Sequence, residues 1–325
     1  PPAIISIFIG TQLTSVLRDL EKSVKDKGMS PDEKTELKLN IGKIPEILLD
    51  NTDRNRTSPF AFTGNKFEFR AVGSTANCSG PMTALNTIMA SQLIDFRKQV
   101  DSLIEKGKKK DDAILTVLRK YIIDSKNILF EGNGYGEEWV KEAKKRGLSN
   151  IKTTPHALSV YLDKKVVSLF ESAGVLTHEE LEARTEIYHE NYKLKIQIES
   201  RVACDMAINN IIPAALEYQS KVIKTMLGLK DIYSEKEYKT LAKPHDSIIR
   251  EISDRVTLVQ EYANQMVEER KTANEMPDAE ASSVHYCEKV VPFLEKLRYE
   301  VDRLELIVED ELWPIPKYRE LLFTR

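Results

Sequence analysis
From about residue 112 onward, apolar side chains recur every three or four positions through nearly all of the remaining chain. That spacing returns a residue to one face of an α-helix, whereas a strand would need alternation, so it commits most of the protein to helix. The periodicity predicts helices over about 111–127, 136–146, 155–172, 178–223, 234–272 and 283–309. Thr177 and Glu180 have the spacing of a capping box at the start of the 178–223 helix. Pro277 separates the last two helices, which reads as a hairpin. Helices of roughly 40 residues exceed the average of about 12. The expectation for this region is therefore a bundle or an elongated hairpin.

The first hundred residues follow another pattern. "AIISIFI" at 3–9 is β-branched and apolar, ends at Gly10, and reads as a buried strand. Leu13, Val16, Leu17 and Leu20 then fall at helical spacing, with a stop expected at Gly28. A short strand is expected around Leu37–Ile41. "FAFTGNKFEF" at 60–69 is either a hairpin around Thr63–Gly64–Asn65 or one strand entered through an irregular turn. Pro81 suits the first turn of a helix that continues with Leu85, Ile88, Met89, Leu93, Phe96, Val100 and Leu103 and ends in the charge run "EKGKKKDD". The fold class that results is α+β, predominantly helical. A few mostly antiparallel strands are expected within 1–75 and long helices beyond, in two domains, 1–110 and 111–325.

Composition narrows the function classes. The 325 residues are 41% hydrophobic and 30% charged, and the net charge is −3. No basic excess points to nucleic acid, and no polybasic segment points to a membrane surface. The longest apolar run is far too short to span a bilayer. Cys78, Cys204 and Cys287 lie far apart, which suits reduced thiols in a cytoplasmic protein. The chain opens on "PPAIISIFIG", without an initiator Met, and we read it as the C-terminal part of a longer polypeptide.

The five histidines show neither HxxxH nor HExxH. Single histidines on amphipathic helices read as surface or interface groups. "GNGYG" at 132–136 lacks the lysine and Ser/Thr of a phosphate loop and reads as a turn ahead of the helix bearing Trp139. The dense candidate is 53–80, which offers Asp53, Arg54, Arg56, Lys66, Glu68, Arg70 and Asn77. Within it, "NKFEFR" alternates charge and aromatic. On a strand, Lys66, Glu68 and Arg70 share one face, and Phe67 and Phe69 are expected to enter a core from the other. Cations to hold phosphate oxygens, and a carboxylate to hold a hard divalent ion, are what phosphoryl transfer needs. An ion-paired surface strand would look the same in composition.

The residues themselves resemble a family. "NRTSPFAFTGNKFEFRAVGSTANCSGPMTALNTIMASQL" is similar to the C-terminal catalytic segment of type III glutamine synthetase. Its marks are Asn55–Arg56–Thr57, the strand Lys66–Phe67–Glu68–Phe69–Arg70, and the turn Ala76–Asn77 into a helix; "KRGLSNIKTTPHAL" and "LWPIPKYRELLF" look alike too. The resemblance implies ATP-dependent ligation of ammonia to glutamate through γ-glutamyl phosphate, with Mg²⁺ or Mn²⁺. It implies Glu68 as a metal ligand, Arg70 on the glutamate or the transferring phosphoryl group, and Arg56 on phosphate. Lys66 stands where the family commonly has an Arg near ATP, and it supplies charge without a bidentate fork. Ala61 stands where shorter forms carry a further Arg, and Asn77–Cys78–Ser79 where they have Asn-Pro-Tyr. A homo-oligomer in double rings is implied for the complete protein. The family's mobile Glu would fall before Pro1, so the 325 residues alone are expected to be inactive. The competing reading is a non-catalytic helical assembly module.

Overall fold
The computed structural model describes residues 4–22, 58–62, 66–70 and 76–322. The strand expected at Leu37–Ile41 and the helix stop at Gly28 lie outside them. The chain divides into two compact units: Pro1–Thr153 with Asp163–His178, and Thr154–Leu162 with Glu179–Arg325.

The first unit holds a three-stranded sheet in the order β1 (Ile7–Phe8), β2 (Phe60–Phe62), β3 (Phe67–Phe69). β2 and β3 form the antiparallel hairpin, with Ala61 opposite Glu68 and a Phe–Phe pair on either side. β1 runs parallel to β2, pairing Ile7 with Phe60 and Phe8 with Ala61. The sheet is therefore mixed, where mostly antiparallel pairing was expected. Parallel neighbours need a long crossover, and about 50 residues of chain separate β1 from β2. Gly10, at φ 84°, turns the chain from β1 into α1 (Thr11–Lys22). Glu131 fastens that turn from far along the chain. Its carboxylate accepts from the backbone N–H groups of Ile9 at 3.3 Å and Gly10 at 3.1 Å, and from Thr14 Oγ1 at 2.9 Å. A carboxylate there satisfies orphan donors and meets the positive end of the helix dipole.

α2 (Ser79–Glu105) and α3 (Lys110–Asp124) follow. Val100, Ala113 and Val117 pack between them, with Phe96 edge-on to Tyr121. α4 (Glu137–Lys145) begins after "GNGYG", which is the expected turn. Its Trp139 is buried and stacks on Phe130 at 3.9 Å, beneath the Arg146 guanidinium.

The stretch 155–172 is broken where one helix was expected. It comprises α5 (Thr154–Leu158), a 3₁₀ turn (Ser159–Leu162) and α6 (Lys164–Ser172), with Asp163 extended between them. The second unit is built on α7 (His178–Met206), α8 (Ile212–Ile232), α9 (Glu235–Leu241), α10 (Lys243–Glu275), α11 (Ala279–His285) and α12 (Val291–Glu305); a short α13 (Tyr318–Leu321) follows. Pro244 opens α10 and divides it from α9. The helices through 178–232 and 279–305 run on through π-helical turns at Ala207–Ile211 and Tyr286–Val290. Each turn ends just before a proline, Pro213 or Pro292. Proline lacks an N–H and crowds the carbonyl four residues back, and a widened turn relieves both problems. The expected hairpin at Pro277 is present, and Asp278 caps α11 by accepting from Ala281 N at 2.6 Å. The core joins Ile252, Val259, Met266, Leu297, Leu304 and Trp313. Among the described residues no helix is long and apolar enough to cross a membrane.

One histidine departs from the surface role expected of it. His189 is 1% exposed, and its Nδ1 lies 2.7 Å from Ser283 Oγ. Ser283 Oγ donates to the Glu280 carbonyl, so His189 Nδ1–H donates to the serine. Burial holds this imidazole below the ordinary histidine range against the opposing charges of Glu280 and Asp278. The unfolded chain thus takes up the proton first. Stability is complete above about pH 6.5, the unfolded value, and falls as the pH drops toward the depressed folded value. Thermal melts from pH 7.5 to 5 should show this loss, and His189→Gln should flatten its slope. An unchanged slope would place the acid sensitivity elsewhere.

Candidate functional site
The charged strand folds as a rigid edge because its hairpin is closed by a full ladder, extended by Arg70 N–H donating to the Pro59 carbonyl at 2.8 Å. Directly opposed residues of an antiparallel pair share a face. Glu68 therefore shares one with Ala61, which is 1% exposed. The four phenylalanines share the other, as ring pairs Phe60–Phe69 at 5.3 Å and Phe62–Phe67 at 5.2 Å. Phe67 is 55% and Phe69 38% exposed, so the aromatics do not enter a core as expected. The alternation is right and the covered side is the opposite one. Phe8 and Ala61 are buried where β1 and β2 pair, and the carboxylate lies on their side.

On that side Arg70 Nη2 donates to Glu68 Oε2 at 3.0 Å. The two residues are two positions apart, the repeat that places strand side chains together. Both side chains are part-covered, 25% exposed for Arg70 and 34% for Glu68. Lys66 is exposed at the start of the strand. Arg56, Asp53 and Arg54 lie outside the described residues. Asn77 Oδ1 accepts from Ser79 N at 2.8 Å, which makes the turn into α2.

The arrangement offers a fixed anion beside a fixed planar cation. A divalent ion of the Mg²⁺ type takes about six oxygens. Among the described residues no group of three His, Cys, Asp or Glu side chains converges. Glu68 is a single carboxylate already holding a guanidinium, so the described residues do not by themselves compose such a site.

Reading the sequence missed a second feature of this unit. A cavity of about 460 Å³ is lined by Arg18, Glu21, Lys126, Phe130, Glu131 and Arg146 among others. Lys126 pairs with Glu21, and Arg146 is spent on the Leu129 carbonyl at 2.8 Å and on the Glu142 carboxylate. No local motif marks these residues, since they converge from α1 and from 122–146.

Known proteins match this chain along its whole length. The glutamine synthetase C-terminal domain family matches residues 113–230, a stretch that is helical and excludes β3. A glutamine synthetase of Bacteroides fragilis (strain YCH46) is 49% identical over 325 residues, covering all of this chain and 45% of that protein. A type-3 glutamine synthetase of Dictyostelium discoideum is 33% identical over 327 residues, 44% of its length. A glutamine synthetase of Butyrivibrio fibrisolvens is 30% identical over 329 residues, 45% of its length. The chain thus spans less than half the length of the curated relatives it matches. Over its whole length, charged hairpin included, the chain is thus similar to proteins named glutamine synthetase, one of them of type 3, and residues 113–230 match that family's C-terminal domain.

Proposed function
We propose that this chain contributes the β2–β3 hairpin and the helical C-terminal domain to an enzyme that joins ammonia to glutamate. ATP is consumed through a γ-glutamyl phosphate. The observation that carries the reading is the Glu68–Arg70 pair, held on a closed hairpin, within a chain matched end to end by proteins named glutamine synthetase.

The roles follow from charge. Transfer of a phosphoryl group spreads negative charge over its oxygens, and a planar guanidinium meets two of them at once. Arg70 takes the glutamate or the transferring phosphoryl group, and Arg56 takes phosphate. Lys66 adds a point charge near ATP. Glu68 is one ligand of a Mg²⁺ or Mn²⁺ ion whose other ligands come from outside the described residues. Arg70 steers the carboxylate of Glu68, and Glu68 restrains the guanidinium of Arg70. The relationship also supports a cytoplasmic homo-oligomer in double rings.

In the complete protein, Glu68→Ala should abolish metal-dependent glutamine formation while the assembly, measured by light scattering, stays intact. Arg70→Ala should lose activity equally, yet cost less than about 1 kcal/mol of folding stability, because the pair is part-exposed. Unchanged activity in Glu68→Ala would remove this residue from the site. The reading takes the remaining ligands of the ion from outside this chain, since Glu68 supplies at most two of the oxygens a divalent ion needs, so the 325-residue chain assayed alone should form no glutamine. ATP- and ammonia-dependent turnover by it would overturn the proposed division of the site.

A further inference from the structure
Two cations meet inside the second unit, away from β3. α7 and α10 run antiparallel there, and two contacts set their register. Cys204 Sγ donates to the Ala263 carbonyl at 3.7 Å, and Gln197 Nε2 donates to Asn274 Oδ1 at 3.3 Å. Between these contacts, Arg201 lies one turn beyond Gln197 on α7, and Arg270 one turn before Asn274 on α10. Residues 197, 201 and 204 share one helix face, as do 263, 270 and 274. Arg201 and Arg270 therefore face each other across the α7–α10 seam. Tyr286 lies at its inner side, where the buried hydroxyl donates to Asn274 Oδ1 at 2.9 Å. Burial pushes the pKa of this phenol up, while Arg270, the Asn274 bond and Arg201 act in the opposite sense.

Neither guanidinium is answered. Arg270 Nε and Nη1 are enclosed without a hydrogen-bond partner, and neither arginine makes an ion pair among the described residues. The acids nearby are engaged elsewhere: Glu268 with Lys271, Glu269 with His285, and Asp205 with Asn209. Glu199 is two residues from both Gln197 and Arg201, about 200° round α7. Arginine stays protonated at any working pH, so neither charge can be shed. An enclosed donor without a partner and two like charges face to face both oppose folding. Water would satisfy the N–H groups and leave the repulsion in place. Asn274 Oδ1 already accepts twice, which leaves its amide nitrogen as a further donor. The seam thus presents donors and positive charge without a carboxylate. A tetrahedral oxyanion carrying two charges fits both properties. Each guanidinium offers paired N–H groups to its oxygens, and its charge cancels the two cations. A monocarboxylate would leave one cation unanswered.

We infer that the α7–α10 seam at Arg201 and Arg270 is a binding site for a divalent oxyanion of the phosphate type. The inference stands apart from the catalytic reading, since it uses no residue of β3. Calorimetric titration of the 325-residue chain with inorganic phosphate at constant ionic strength tests it, with thermal melts alongside. The wild type should bind phosphate saturably; sulfate should compete, and acetate should not. Arg70→Ala, on β3, should bind as the wild type does, which separates this site from the candidate active site. Arg201→Gln and Arg270→Met should each weaken binding by about tenfold or more, since each removes one of two charge-assisted anchors. Phosphate raises melting temperatures without binding as well, so the melts are read as the difference between wild type and Arg201→Gln, an exposed position. Without phosphate, Arg270→Met should melt no lower than the wild type, because methionine keeps an apolar stem and removes an unanswered charge. A wild type that binds no phosphate, or binding that both seam variants retain, overturns the site. So does binding lost only in Arg70→Ala. An Arg270→Met variant that melts well below the wild type without phosphate overturns it too, since Arg270 would then already be answered within the chain.

Discussion
A single carboxylate organises the first unit. Glu131 reaches the backbone at Ile9 and Gly10 and the hydroxyl of Thr14, and so closes the end of β1 onto the start of α1. Next to it, Phe130 N–H donates to the Ile7 carbonyl at 3.1 Å. β1 is held from that side and by β2 from the other, and β2 holds β3. The position of the Glu68–Arg70 pair therefore descends through two ladders from an acid more than 60 residues downstream. Charges on a strand are only as fixed as the strand, and this one is fixed by a helix cap.

Several polar groups inside the second unit are answered by a partner. Glu300, 7% exposed, takes Arg255 Nη1 at 2.6 Å, and the same guanidinium reaches Glu251 from its other edge. Ser282 donates to the Ala273 carbonyl across the Pro277 turn at 2.7 Å. Removing one member of such a set strands the other in a poor solvent, which costs more than the pair contributes. Cys204, buried among these helices, has its thiol pushed above the ordinary range by burial, with Arg270 acting in the opposite sense.

Much of this was legible from spacing alone. Helical periodicity located the helices, and Pro277 marked a real break, while Pro244 divides α9 from α10 where a single helix over 234–272 was expected. Prolines 213 and 292 did not break theirs, because a π turn absorbed the missing donor. Spacing showed that Lys66, Glu68 and Arg70 share a face. It could not show which face would be covered, since the cover comes from Phe8 and Ala61, distant in sequence or on the other strand. For the same reason His189 looked like a surface group: its partner, Ser283, is 94 residues away. The role of Glu131 was hidden likewise, as a capping acid usually sits within the turn it caps.

The Pro277 hairpin has a kinetic consequence. α10 and α12 meet after a short turn, so their pairing closes a small loop, whereas Ile7 and Phe60 must find one another across a long one. Closure of long loops costs more entropy before any contact rewards it, and non-local pairing is slow. The hairpin is thus placed to form early and the parallel ladder late. Glu68 and Arg70, which depend on that ladder, come into register only near the end of folding. A chain arrested before this point would be largely helical by spectroscopy and still lack its charged strand.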